Sequence, residues 1–483
     1  MSKIFHVLGP QRYFYLGATF VLGAYLRAIF SEWVYSDEYH IFADNSFARN
    51  HFDKDGSLVG GLIYTNITRN LVSNPTDLWR LRLLSILCLL LVLKRIGKSI
   101  QAKNRSNLIQ FLLPLSLLLP AQMTFIAWAL MWQGSFAILV SFLACEHWIN
   151  SKRPIKLVAI PLLSLALLIS PYSAFTSFGF FAGIAIITKA NIKEISEKLI
   201  RLLLLFALSG ITTIVYVYFY SHLTNLKFND RVDFLELREV PNKIFWVISR
   251  PITISTRFFD LGSPSSISAI IVALVVSTVI FVGFMNMSNR SLLKSFYYVT
   301  FFFTSAALTL TPIIITSSNQ IEFRYIFASS WLFFCSFVFF FFELISKYKS
   351  NVESLKKFTI LLILLIGTLT VNLNFERQFL SPYKSKVEFL KIRLLECNAS
   401  GKNLKSILIV PPKKVFPVRN NIGMYSQVTD LASTWVPVPS VENVLVSLDI
   451  DFSKVTLLDY RNPNDEKSCQ IDLEEYRQIL LKS

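Results

Sequence analysis

The sequence is short of charge. Of its 483 residues only 16% are charged against 53% hydrophobic, and 31 acidic residues face 48 basic ones. A soluble globular chain carries about a quarter charged residues, so this balance excludes a wholly soluble fold. Cysteine and histidine are scarce, at five each. There is no paired-Cys zinc motif and no Gly-rich phosphate loop, which leaves a structural metal site and ATP-driven transport without support. No small-residue cleavage site follows the first apolar run, so that run reads as a retained signal anchor. No internal repeat or low-complexity linker is evident.

Apolar runs and phenylalanine, 43 residues of it, take the place of what is missing. The candidate membrane spans are residues 11–30, 80–96, 108–122, 124–149, 157–170, 172–188, 202–222, 266–287, 296–316, 325–345 and 358–374. Each approaches the length a helix needs to cross about 30 Å of hydrocarbon. One such run would suit a buried core helix equally well. About eleven exclude it and predict an α-helical polytopic membrane protein.

The formal charge of +17 first suggests nucleic acid, which binds basic surfaces. In a membrane protein the same excess marks cytoplasmic loops, and no nucleic-acid partner is expected. With the N-terminus inside, "LKRIGKSIQAKNR", "NSKRPIK", "TKANIKEISEKLIR", "SNRSLLK" and "SKYKSNVESLKK" all fall in the cytoplasm. The opposite connections, around Ala121, Pro171 and Asn319, hold almost no basic residue apart from Arg324. The positive-inside rule thus selects one orientation, with the C-terminus outside.

Three polar segments then lie outside: residues 31–79, residues 223–265 and everything after Asn374. "GSLVGGLIYTNITRNLV" in the first and "KIFWVISRPITISTRFF" in the second suit helices lying in the membrane interface. Residues 1–374 form the membrane domain and 375–483 a small extracytoplasmic α/β domain, with strands at "SILIVPP" and "VTLLDY" and a helix at "LEEYRQILLK". Cys397 and Cys469 fall in that domain and form either a disulfide or two unrelated thiols. Trp435 there would stack on a sugar or pack in the domain core. Asn66 and Asn398 sit in glycosylation sequons, which matter only in a eukaryotic host.

The stretch that asks for chemistry is "VYSDEYHIF", where Asp37 and Glu38 stand a few residues beyond the first span. They either cap the interfacial helix that follows or serve as a base at the headgroup level. Arg324, Arg250, Arg257, Lys243 and His222 lie on the same side and would suit a phosphate. Arg324 is the first choice among them; otherwise it anchors the start of its span. Glu322 would pair with Arg324 or help hold a divalent metal, for which no motif speaks. His40 and Arg49 follow the acidic pair as secondary candidates.

"DEYHIF" resembles the Asp-Glu-x-His-Phe stretch of the protein O-mannosyltransferases, members of the GT-C class of membrane glycosyltransferases. The overall plan is similar to bacterial and phage O-antigen glucosyltransferases. That resemblance implies a hexose moved from a polyprenyl-phosphate donor to an extracytoplasmic glycan such as O-antigen of the bacterial inner-membrane surface. It implies Asp37 as base in an inverting attack, Glu38 orienting that base or binding a sugar hydroxyl, and Arg324 at the leaving phosphate. A transporter or flippase of lipid-linked saccharide is the alternative, but it would place its ionisable residues near the midplane. A polysaccharide polymerase is a further alternative, and an acidic pair in the first loop fits it less well.

Overall fold

The computed structural model describes residues 11–34, 38, 52–54, 56–103, 106–151, 155–225, 236–258, 266–315, 324–348, 352–400, 403–410, 456–459, 468–472 and 475. In chain order the longer helices are α1 (Arg12–Phe30), α2 (Leu58–Ile63), α3 (Trp79–Gln101), α4 (Asn107–Leu115), α5 (Pro120–Ala127) and α6 (Trp132–Asn150). They continue as α7 (Ala159–Ile169), α8 (Thr176–Ile187), α9 (Ile192–Thr224), α10 (Val240–Val247), α11 (Ser266–Met287) and α12 (Leu292–Thr309). The last are α13 (Phe327–Tyr348), α14 (Val352–Phe375) and α15 (Ser381–Ala399).

The molecule is a helical membrane protein. Among the described residues six helices are long and apolar enough to cross a bilayer, and one bent pair raises the number to seven. The bent pair is where the structure departs from the sequence reading. Instead of two spans meeting near residue 123, the chain turns by 66° between Leu118 and Pro120 and breaks again at Trp128. Pro120 has no N–H to donate, and its ring forces Leu119 into extended backbone (φ −68°, ψ 147°). Ala121 is therefore not in a surface connection. It lies in α5, every residue of which is buried.

The described residues in and beside the five basic connections gather at one end of the bundle. Lys103 pairs with Glu194 at 2.6 Å, Lys189 pairs with Glu343, Trp148 Nε1 donates to the Arg201 carbonyl at 2.8 Å, and Tyr298 donates to the Ala190 carbonyl at 3.2 Å. The first joins two of these connections directly, and the other three join "TKANIKEISEKLIR" to residues that flank the remaining ones. Between the two ends, aromatic rings fill the core: Phe180, Phe327 and Trp331 meet edge to face or tilted, as do Phe284, Phe302 and Phe340.

Both segments expected to lie in the interface are helical. α2 runs through one π turn, Tyr64–Thr68, into Arg69–Leu71, leaving Leu62 and Ile67 exposed. α10 runs through a π turn, Ile248–Ile252, into Thr253–Ser255, and exposes Ile244 and Phe245. In the C-terminal portion, β1 (Asn403–Val410) lies between β2 (Thr456–Asp459) and β3 (Ser468–Asp472), parallel to both. A disulfide between Cys397 and Cys469 joins α15 to β3, with Cα atoms 5.5 Å apart. Trp435 and most of the terminal "LEEYRQILLK" lie outside the described residues.

Candidate functional site

α1 ends at Phe30 with Ser31 as its C-cap, and Trp33 and Glu38 follow at the end of the bundle away from the basic connections. Glu38 is fully buried. One of its oxygens accepts the backbone N–H of Ala129, and the other lies 3.5 Å from the Arg82 guanidinium. Ala129 opens the helical turn that leads into α6, so the carboxylate caps a helix 91 residues further along the chain. The negative charge sits where the partial positive charge of that helix is concentrated. It is a cap, but not of the neighbouring helix, which starts from Ser57.

Arg82 stands one turn into α3 and is only 1% exposed. Its Nε donates to the Ala127 carbonyl at 3.0 Å, and its two other nitrogens donate to the carbonyls of Ser31 at 3.1 Å and Trp33 at 2.8 Å. The guanidinium also lies over the Trp33 ring, 4.4 Å from its centroid. Trp33 in turn meets Phe375 and Phe379 edge to face. A buried charge so completely met by acceptors and an aromatic face is the arrangement that makes a buried arginine tolerable. One side chain thus joins the end of α1, the start of α3 and the break after α5.

On the other side of the same break stands Arg324. Its guanidinium lies 5.1 Å from the Trp128 ring centroid and donates to the Tyr325 hydroxyl at 2.9 Å. Tyr325 packs on Tyr172 with centroids 4.7 Å apart, placing the turn at Pro171 beside it. Helix α2 closes a further side: Trp132 Nε1 donates to the Thr68 hydroxyl at 3.1 Å, and Gly60 sits so near the Ile169 carbonyl that a Cβ would come within 2.8 Å. Glu38, Arg82 and Arg324 therefore meet one short piece of chain, residues 127–129: Arg82 at the Ala127 carbonyl, Arg324 at the Trp128 ring and Glu38 at the Ala129 N–H.

The remaining predicted residues are placed less centrally. Lys243, on α10, is buried with its ammonium 4.6 Å from the Trp246 ring centroid. Burial holds its pKa below the ordinary lysine value, with Glu239 acting in the opposite sense. α10 packs against Thr311–Ile314, which packs against Pro171–Ala174, so Lys243 belongs to the next layer outward from Arg324. Arg250 is exposed and Arg257 half-buried on the continuation of that helix. His222 is exposed near the far end of α9. Asp37, His40, Arg49 and Glu322 lie outside the described residues. Among the described residues, no group of three His, Cys, Asp or Glu side chains gathers.

Sequence reasoning missed Arg82 and the backbone break it serves. The signal was present, since "WRLRLL" places a second arginine one turn inside an apolar run, where ionisable residues are rare and tend to be partnered. Tyr383 was missed too. Its hydroxyl pKa is raised by burial and then by Glu32 and Glu38, with Arg82 pulling the other way, which puts this α15 residue in the field of the same cluster. No family model, curated protein or solved structure matches the chain.

Proposed function

We propose that the chain is a membrane glycosyltransferase of GT-C-like plan that moves a hexose from a polyprenyl-phosphate donor to an extracytoplasmic glycan. What supports this is the convergence of the acidic first loop and Arg324 on residues 127–129. Glu38 is pinned there by Ala129 and Arg82, and Asp37 is its covalent neighbour, one Cα–Cα step of about 3.8 Å away. A carboxylate and a guanidinium held near one turn at a membrane surface suit a reaction that removes a proton and releases a phosphate.

In this mechanism the acceptor hydroxyl attacks the anomeric carbon while its proton passes to Asp37. The bond from that carbon to the phosphate oxygen breaks, and the polyprenyl phosphate leaves with inversion. A positioned base contributes about 10²- to 10⁴-fold. Arg324 stabilises the charge growing on the phosphate, as a fixed cation aimed at a developing anion does. Glu38 positions the acidic loop, since its oxygens already face protein donors, and Lys243 adds positive potential from the next layer. The proposal includes about eleven crossings, a location in the bacterial inner membrane, a cytoplasmic N-terminus and a periplasmic C-terminal α/β domain that meets the acceptor. The gathering at one end of the described residues in and beside the five basic connections supports that orientation.

The test is mass spectrometry of surface polysaccharide from cells carrying the wild-type chain, Asp37→Asn or Arg324→Gln at matched membrane levels. Wild type should add one hexose per repeat, Asp37→Asn none, and Arg324→Gln a roughly 10²-fold smaller amount. Equal added mass from wild type and Asp37→Asn refutes the base. No added mass from any chain refutes the transferase and favours transport or polymerisation.

A further inference from the structure

A second feature lies at the opposite end of the bundle, away from the proposed active site. There α4, α11, α13 and the start of α14 enclose a cavity of about 440 Å³ that opens to the surface. Its walls are apolar, with Leu112, Phe334, Val338 and Phe339 among them. Its lining also includes Lys189, Lys347 and Lys356 against one carboxylate, Glu343, which pairs with Lys189. The helices that form it cannot close further on one side, because Gly283 packs so tightly that a Cβ there would come within 2.1 Å of the Phe340 ring.

Volume and lining together describe a ligand. Small-molecule sites span about 300–1,000 Å³ and are mostly apolar with a few polar groups that set orientation. Here the polar groups are lysines in the tier of basic connections, where anionic lipid headgroups are attracted. A purely apolar solute would draw nothing from the positive charge of the lysines, and a free phosphate would leave the apolar walls unfilled. We propose that this cavity binds one anionic phospholipid, its phosphate at Lys347 and Lys356 and one acyl chain between Leu112, Phe334 and Val338.

Native mass spectrometry of the full chain, purified in detergent and offered equal amounts of phosphatidylglycerol and phosphatidylcholine, tests this. One phosphatidylglycerol should remain bound per chain, at least tenfold in excess over phosphatidylcholine. The double substitution Lys347→Gln with Lys356→Gln should lower retention about tenfold, and Val338→Phe, which narrows the cavity, should lower it while leaving both lysines in place. Lys347 is exposed and Lys356 half-buried, so the double variant tests charge without opening the core. Equal retention of the two lipids, or retention unchanged in the double variant, overturns the proposal. Displacement of the lipid by millimolar glycerol phosphate also overturns it, because the site would then read the headgroup alone.

Discussion

Replacing Arg82 with methionine tests the organisation of the site most directly. The substitution removes donors to the carbonyls of Ala127, Ser31 and Trp33 and leaves Glu38 buried with its cation gone. Removing one partner of a buried ion pair costs about 3–5 kcal/mol, chiefly because the survivor keeps its charge in a low-dielectric site. Glu38→Leu should fall at the lower end of that range, since Arg82 keeps its three carbonyl acceptors. The double variant should cost less than the sum, by about 2 kcal/mol, because neither charge is then stranded. Its residual cost is the Ala129 N–H left without an acceptor together with the Ala127, Ser31 and Trp33 carbonyls left without a donor, at about 1–3 kcal/mol for each buried group. Unfolding in mixed micelles, followed for the wild type, both single variants and the double, closes the cycle. If either single variant lies within about 0.5 kcal/mol of wild type, or if the costs simply add, the buried pair does not hold the loop as described.

Three further outcomes are expected. Gly183→Ala places a Cβ within 2.4 Å of the Trp331 ring, which is itself fully buried, and should cost about 1–3 kcal/mol in the same unfolding assay; an unchanged midpoint would mean that α8 and α13 are not packed this closely. Tyr383 holds its proton above the ordinary value of 10.0, so its contribution is complete below that pH and is lost as pH rises through the folded pKa; Tyr383→Phe should flatten the alkaline decline in stability, and an identical profile would count against its half-buried placement beside the cluster. Thiol titration of denatured, unreduced protein should find three free cysteines, and five after reduction. Five thiols before reduction would remove the Cys397–Cys469 bond.

The apolar helices were legible because lipid leaves a spanning backbone no alternative to helix, so run length alone decides. The grouping of the basic connections was legible for a related reason, since charge sidedness is written locally in each loop. The break around residues 119–128 was not. Pro120 announces it, yet an apolar run on both sides hides how far the chain turns, and only packing sets the 66°. Glu38 was singled out as one of an acidic pair near a span end, but its partners come from residues 82 and 129, and no local pattern links positions so far apart. Arg82 carried a signal that an N-terminal anchor at a span end explains equally well. What distinguishes the two is the set of carbonyls it meets, which only the fold brings together.

Helix α9 carries one more consequence. Its 33 residues, at about 1.5 Å each, make a rod of about 50 Å, longer than the roughly 40–45 Å of a bilayer counted with its headgroups. Lys193, Lys198 and Arg201 occupy its first turns, apolar residues its middle, and Tyr216, Tyr218 and Tyr220 the approach to its far end. Such a rod is marked at both water lines, by charge on one side and by aromatic rings on the other. It works as a depth gauge for the whole bundle. In a thinner membrane the marks can stay at their levels only if the rod leans, and α7, packed along it, would have to lean as well.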